Sequence, residues 1–281
     1  MSASEQIVTV NGLELAVKIW GDPTLPPLIA LHGWLDNAAT FDKLAPLVDS
    51  HYWIVPDLAG HGQSAHRGID AEYSLWGYCT EVMGLADALS LDGFALVGHS
   101  MGGGLANLLA GLYPQRINKL VLLDVIGTLT TTAEDTLAQM RRGLDQRLEK
   151  PPRKAGLYST MEKAVEARAK KGVDLDAAQL LGERGIAKQE AGYYWCHDQR
   201  LSLRSLLSMS DEQLAPFMHA VSSPVLVIGS SKAVIRKEVI NERIAMLKDV
   251  RLEILPGGHH QHLDGDVQGI AGLLNEFLSF T

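Results

Sequence analysis

The run Phe94-Ala-Leu-Val97 constrains this chain more than any other stretch, because it leads without a break into Gly98-His-Ser-Met-Gly102 and then into a helical pattern. A short buried strand that turns into a helix through Gly-x-Ser-x-Gly lifts the serine hydroxyl above the end of a parallel sheet. The glycines at 98 and 102 are expected on steric grounds, since so tight a bend has no room for a Cβ, and Ser100 itself is expected in a strained backbone conformation. The pentapeptide alone is a modest signal. The strand before it and the helix after it give it force.

The rest of the chain supplies the sheet that this turn requires. Ile7–Val10 and Leu13–Trp20, split by Asn11-Gly12, predict a β-hairpin. Leu28–Leu31, Tyr52–Val55, Leu120–Leu123 and Val225–Ile228 are apolar runs of strand length, and a further strand is expected at Arg251–Leu255. Helices are expected at Phe41–Val48, Ser74–Leu91, Ser100–Tyr113, near Glu238–Leu247 and at Val267–Phe280. Continuous apolar strands alternating with helices imply a mostly parallel sheet covered on both faces, an α/β class, with ligands bound at the carboxyl ends of the strands.

The alternation stops after Asp124. About ninety residues separate it from the next apolar strand, far beyond an ordinary connection. That stretch is rich in Ala, Leu, Glu, Lys and Arg, is punctuated by Pro151-Pro152, Gly172 and Gly182, and reads as a helical insertion without a sheet of its own. The expected organisation is a core of residues 1–125 and 218–281 with a helical cap at 126–217, after the sixth strand.

Bulk properties exclude several classes. With 281 residues, 46% hydrophobic and 21% charged, the chain fits one large domain or one domain with an insertion. A net charge of −8 argues against a nucleic-acid partner. The basic stretch from Arg141 to Lys171 interleaves acids and reads as solvated helix surface. Cys79 and Cys196 are isolated thiols with no metal-like spacing, as in a reducing compartment. No leader-like or membrane-length apolar segment is evident, so a cytoplasmic location without membrane attachment is the expectation.

A serine hydroxyl needs a base to become a nucleophile, and the base needs an acid to fix its tautomer. Of ten histidines, His259 in Pro256-Gly-Gly-His-His-Gln-His262 lies just past the last strand, where a loop can return over Ser100. His260 and His262 are its rivals. A zinc site would need further ligands, and no second cluster is evident, so no metal and no cofactor are expected. His99 should point away from the turn, and His61 reads as a structural, hydrogen-bonded histidine. Backbone N–H groups of Trp34, after His32-Gly33, and of Met101, after the serine, are the expected oxyanion donors. The side chains of Trp34 and Met101 are then free to line an acyl pocket.

These motifs together resemble the α/β-hydrolase superfamily, and most closely the serine hydrolase-like protein family. The resemblance rests on His32-Gly-Trp-Leu-Asp-Asn37, Thr40-Phe-Asp-Lys-Leu44, Gly60-His-Gly-Gln-Ser64 and Gly98-His-Ser-Met-Gly-Gly103. It continues through Leu122-Leu-Asp124, Gly185 to Lys188, His197-Asp-Gln-Arg-Leu201 and Pro256 to His262. It spans nearly the whole chain and implies an α/β-hydrolase fold with a helical cap, Ser100 and His259 on the family's motif positions, and ester-like hydrolysis with thinly defined substrates. The Asp198-Gln-Arg200 segment is expected to be a structural cluster or a lid anchor.

The acid is the awkward member. Hydrolases of this layout carry it in the loop after the strand Val225–Ile228, where this chain has Lys232. Asp124, closing the preceding strand, is the expected substitute, with Glu238 and Asp264 as alternatives. The reading is a carboxylesterase acting on a small-molecule ester through Ser100, Asp124 and His259. Lactone or carbon–carbon bond hydrolysis, or a non-catalytic small-molecule binder on the same shell, are its rivals. Tyr193, Tyr194 and Trp195 are either pocket walls or cap core.

Overall fold

The computed structural model describes residues 3–149, 155–232 and 237–279. Pro151-Pro152 and the end of the last predicted helix at Phe280 lie outside these residues.

Strands β1 (Ser4–Val10) and β2 (Leu13–Trp20) form the expected hairpin, turning at Asn11 and Gly12 with φ of 50° and 81°. Positive φ at both turn residues matches the right-handed twist of the strands it joins. The chain continues through β3 (Pro27–Leu31), β4 (Tyr52–Pro56), α1 (Leu75–Ala88), β5 (Phe94–His99), α2 (Met101–Leu112) and β6 (Ile117–Leu123). Next come α3 (Thr136–Glu149), α4 (Met161–Ala169), α5 (Leu175–Gly185), the strands β7 (Ile186–Gln189) and β8 (Gly192–Trp195), and α6 (Asp211–Ala220). The last elements are β9 (Val225–Ser230), α7 (Lys237–Ile244), β10 (Val250–Leu255), α8 (Gln261–Asp264) and α9 (Val267–Ser279).

Eight strands make one sheet in the order β1-β2-β4-β3-β5-β6-β9-β10. The first two pairings are antiparallel and the remainder, from β4 to β10, are parallel. The chain builds outward from β3 to β4 and then returns to the far side of β3 as β5. The order therefore reverses between β3 and β5, and a crevice opens at their carboxyl ends.

Side chains alternate across the sheet, and both faces are covered. Ile29, Leu31, Leu120 and Leu122 join a core with Val82 and Leu85 of α1 and Leu105 and Leu109 of α2. Leu28, Ala30, Val121 and Leu123 join a second core with Phe41, Trp53, and Ile270 and Leu274 of α9. Each buried aliphatic side chain of this kind contributes about 1.5–3 kcal/mol relative to exposure.

Two expectations about local structure need correction. Phe41–Val48 is not a helix; it holds parts of two 3₁₀ turns, Ala38–Phe41 and Ala45–Leu47. Pro46 has no N–H to give to the carbonyl four residues back, so an α-helix there would lose a bond. The segment after β6 is not purely helical, because β7 and β8 pair as an antiparallel ribbon. Tyr193, Tyr194 and Trp195 favour strand geometry over helix, and Tyr158 and Tyr193 exchange two backbone hydrogen bonds of 2.8 Å that extend the ribbon. The expected boundary at residue 217 falls inside α6, whose Leu214 and Met218 are buried in the core that α2 occupies.

The inserted segment is tied to the rest of the molecule by polar contacts, some of them buried. Arg184 of α5 donates from Nε to both carboxylate oxygens of fully buried Asp57, at 3.0 and 2.9 Å, and its Nη1 reaches Glu5 at 2.9 Å. Asn37 donates to the Leu181 carbonyl at 2.9 Å. Asp198 and Arg200 form an ion pair at 2.6 Å, and Arg200 donates to the carbonyls of Arg67, Gly68 and Ala71. The Asp198-Gln-Arg200 motif is thus an anchor on the loop after β4.

Candidate active site

Ser100 sits between β5 and α2 with φ of 51° and ψ of −118°, a region that side chains other than glycine rarely occupy. The neighbours that hold it there are tight. A Cβ on Gly98 would collide with the backbone of Gly102 and Gly103, and one on Gly102 would collide with the carbonyl of Leu31. Helix α2 can therefore start close against β3 only because both positions are glycine. Met101 opens α2, so its N–H lies at the positive end of the helix dipole.

The loop after β10 brings His259 over this turn. His259 Nε2 lies 2.9 Å from Ser100 Oγ, and His259 Nδ1 lies 2.7 Å from Asp124 Oδ2. Asp124 is buried, has φ of 51°, and accepts a second bond at Oδ1 from the Ser230 N–H at 2.8 Å. Burial pushes its carboxyl pKa up, but the hydrogen bonds from His259 and Ser230 outweigh that and hold it below the ordinary value. Asp124 can only accept, so the His259 proton rests on Nδ1 and leaves Nε2 free to accept from the serine hydroxyl. The alternatives are elsewhere. Asp264 accepts from the Asp174 N–H at 3.2 Å, and Glu238 begins α7 in an exposed position.

The rival histidines are all buried and all structural in their contacts. His262 is hydrogen-bonded to Thr40 Oγ1 at 2.8 Å, and His260 Nε2 lies 3.2 Å from Asp36 Oδ2. His61 Nδ1 meets the Ala59 carbonyl at 3.2 Å, in keeping with its structural reading. His32 donates from Nδ1 to the Gly33 carbonyl at 2.8 Å and accepts at Nε2 from the Leu58 N–H at 2.9 Å, which fixes the loop that carries Trp34. His99 does point away from Ser100. It runs beneath the loop and donates from Nε2 to the carbonyl of His259 at 2.9 Å.

The sequence reading missed the group around Asp36. This buried carboxylate meets Arg168 of α4 at 2.5 Å, His260 at 3.2 Å and His99 Nδ1 at 3.7 Å. Burial would raise the pKa of Asp36, yet His260 and Arg168 hold it well below the usual carboxylate range. Ligand atoms of Asp36, His99 and His260 lie within 4.8 Å of one another, a spacing that a metal ion could bridge. Asp36 is already engaged by Arg168 and His260, whereas His99 Nδ1 and His260 Nδ1 are buried without a hydrogen-bond partner among the described residues. No spacing along the chain signals it: Asp36 sits in the His32–Asn37 motif, but its partners at positions 99, 168 and 260 join it only in the fold.

A cavity of about 420 Å³ lies over Ser100, bordered by Trp34, Asp36, His99 and His259 from the sheet side and by Arg168, Trp195 and His197 from the inserted segment. Trp34 is 50% exposed, lines the cavity, and donates from its indole to the Leu201 carbonyl at 3.0 Å. Met101 differs from expectation: its side chain packs against the core and is not part of the lining. Trp195 is a cavity wall, whereas Tyr193 belongs to the ribbon with Tyr158.

Comparison with known proteins agrees with this architecture. A family model described as alpha/beta hydrolase fold matches residues 26–266. The chain is 30% identical to the serine hydrolase-like protein of Danio rerio, covering 99% of this chain and 89% of that protein. It is 29% identical to the serine hydrolase-like protein of Mus musculus, covering 98% and 95%. Among solved structures, the hypothetical protein PA1622 from Pseudomonas aeruginosa PAO1 superimposes with a TM-score of 0.92 at 36% identity, covering 98% of this chain and 99% of the other. A thioesterase domain from the curacin biosynthetic pathway, at 22% identity, shares the fold with a TM-score of 0.87 over 98% and 99% of the two chains. Among the described residues no helix is long and apolar enough to cross a membrane.

Proposed function

The chain belongs to the alpha/beta hydrolase fold family, and from that premise we propose that it is a serine hydrolase that cleaves small-molecule carboxylic esters through a covalent acyl-enzyme. One observation carries the reading: Ser100 Oγ, His259 and Asp124 form one hydrogen-bonded line, with steps of 2.9 and 2.7 Å.

In this reading Ser100 Oγ attacks the ester carbonyl while His259 Nε2 takes its proton. Asp124 keeps the ring in the correct tautomer and stabilises the imidazolium that forms. The N–H groups of Trp34 and Met101 receive the developing oxyanion, and each such donor contributes about 3 kcal/mol to the transition state. His259 then returns the proton to the departing alcohol. Water attacks the acyl-enzyme through the same base, releasing the acid and restoring the serine. The segment that carries α4, α5, β7 and β8 acts as a cap that closes the cavity and selects the substrate. No cofactor enters the scheme.

The test is turnover of p-nitrophenyl esters together with fluorophosphonate labelling. Wild-type protein should label at Ser100 and hydrolyse the esters, and Ser100→Ala should do neither. Hydrolysis that survives Ser100→Ala, or well-folded wild type that fails to label, would remove this mechanism and leave a binding role on the hydrolase shell.

A further inference from the structure

The wall of the cavity facing Ser100 carries a charge that runs against the rest of the molecule. The chain as a whole has a net charge of −8, yet the inserted segment presents Arg168 and Lys171 to this space. Among the described residues Asp36 is the one acid lining it, and Asp36 is already met by Arg168 and His260. Lys171 has no hydrogen bond or ion pair from its ammonium among the described residues. Among the described residues the Arg168 guanidinium bonds only to Asp36, which leaves its Nε buried without an acceptor.

His197, which lines the same cavity, has its pKa pushed down to about 4, first by burial and then by repulsion from Lys171 and Arg168. It is therefore neutral at physiological pH, and the fields of both cations reach its position. A buried donor without an acceptor is costly, and an ammonium in a partly enclosed cleft concentrates counter-charge there. The sum of Arg168, Lys171 and Asp36 leaves about one positive charge unanswered. That favours a monoanion over a doubly charged phosphate.

Resting on the hydrolase reading above, we propose that the substrate is an ester bearing a second, anionic group, a carboxylate, which Lys171 and Arg168 hold against the inserted segment while the scissile carbonyl lies on Ser100. Lys171 and Arg168 are specificity residues in this scheme. They act on which ester enters, not on the chemistry at the carbonyl.

Two matched pairs of esters test it. The p-nitrophenyl monoester of glutaric acid against p-nitrophenyl pentanoate places the carboxylate on the acyl side. 4-(Acetoxymethyl)benzoate against benzyl acetate places it on the leaving alcohol. In low salt, kcat/KM should favour the anionic member of at least one pair by about tenfold or more. That ratio should fall several-fold in Lys171→Gln, invert in Lys171→Glu, and shrink as sodium chloride is added. Thermal unfolding verifies that the variants fold. A ratio at or below one for both pairs in wild type, or a ratio untouched by Lys171→Glu, overturns the proposal.

Calorimetric titration of glutarate into Ser100→Ala separates the two readings, because it needs no turnover. Binding that weakens when Lys171→Glu is added supports the anion site even if Ser100 never labels. Labelling of Ser100 with no preference for either anionic ester and no glutarate binding removes the anion site and leaves the hydrolase.

Discussion

His99 carries the backbone of His259: its Nε2–H donates to the His259 carbonyl at 2.9 Å, and the two rings lie 4.7 Å apart. His99 is the last residue of β5 and is wholly buried, so the sheet itself fixes the height of the loop above Ser100. The ring that faces the serine is thereby registered against the strand that bears the serine.

This relationship predicts a positioning effect. His99→Phe keeps the bulk but removes the donor, and a catalytic ring displaced by an ångström costs about 10²-fold in rate. The loss should fall on kcat with KM little changed, and His99→Gln, which retains a donor, should recover part of it. Steady-state kinetics on a p-nitrophenyl ester decides. Equal losses for Phe and Gln, or a loss confined to KM, would show that His99 does not act through His259.

The identity of the acid is open to direct comparison. Asp124→Asn should lower kcat on the order of 10⁴-fold, because the wrong tautomer of His259 is then favoured. Glu238→Gln and Asp264→Asn should stay near wild type, since Glu238 is exposed at the start of α7 and Asp264 is bonded to the Asp174 N–H. A harmless Asp124→Asn would return the question to those two residues.

The contact between Arg184 and Asp57 should govern stability. Asp57 is fully buried and also accepts from the N–H groups of Ala38 and Gln63, each at 2.7 Å. Removing the guanidinium in Arg184→Met leaves that charge without its partner, at a cost of about 3–5 kcal/mol. Adding Asp57→Asn should win part of it back. Urea unfolding followed by circular dichroism measures both, and a single variant as stable as wild type would show the pair to be dispensable.

Buried histidines set the acid limit. Burial, the largest cause in each case, lowers the pKa of His32, His61, His262, His99 and His197, to about 3 for His99 and about 4 for His197. Where the folded pKa lies well below that of the free ring, as for His61, His262, His99 and His197, the ring stays neutral in the folded chain while the unfolded chain protonates it below about pH 6.5. The unfolded state therefore binds more protons in that window. Stability is fully present above the unfolded pKa and declines as pH falls toward the folded values, by about 1.4 kcal/mol per pH unit for each ring. Unfolding free energies at pH 7, 6 and 5 should drop steeply, and His262→Gln should flatten the slope by one ring. A level profile across that range would contradict the burial of these groups.

The architecture was legible because it depends on local signals. Apolar runs such as Leu28–Leu31 and Leu120–Leu123 announce buried parallel strands, and Gly98 and Gly102 announce the bend. Ser100 and His259 were named because each follows directly on a predicted strand, where the ends of parallel strands gather. Lys232 occupies the usual place of the acid, and Asp124 was named because it closes the strand beside the one that bears Ser100, with Glu238 and Asp264 left as alternatives. The Asp36 cluster was not legible at all. Its members at positions 36, 99, 168 and 260 meet only through the tertiary fold, and no spacing along the chain encodes that meeting. The ribbon of β7 and β8 was obscured because Ala, Lys and Gln around it favour helix, while its aromatic side chains decide otherwise.

Among the described residues strand β10 is an edge of the sheet, hydrogen-bonded only to β9, and the loop that follows it carries His259. In the proposed mechanism the general base is thus delivered by the margin of the sheet, not by its centre, and arrives about 160 residues after the serine it must meet. During refolding the central strands can zip together with Ser100 already bent into place, yet the protein stays inert until that last margin closes. Recovery of esterase signal should lag the return of far-ultraviolet circular dichroism, which makes catalysis a reporter for the final stitch of the fold.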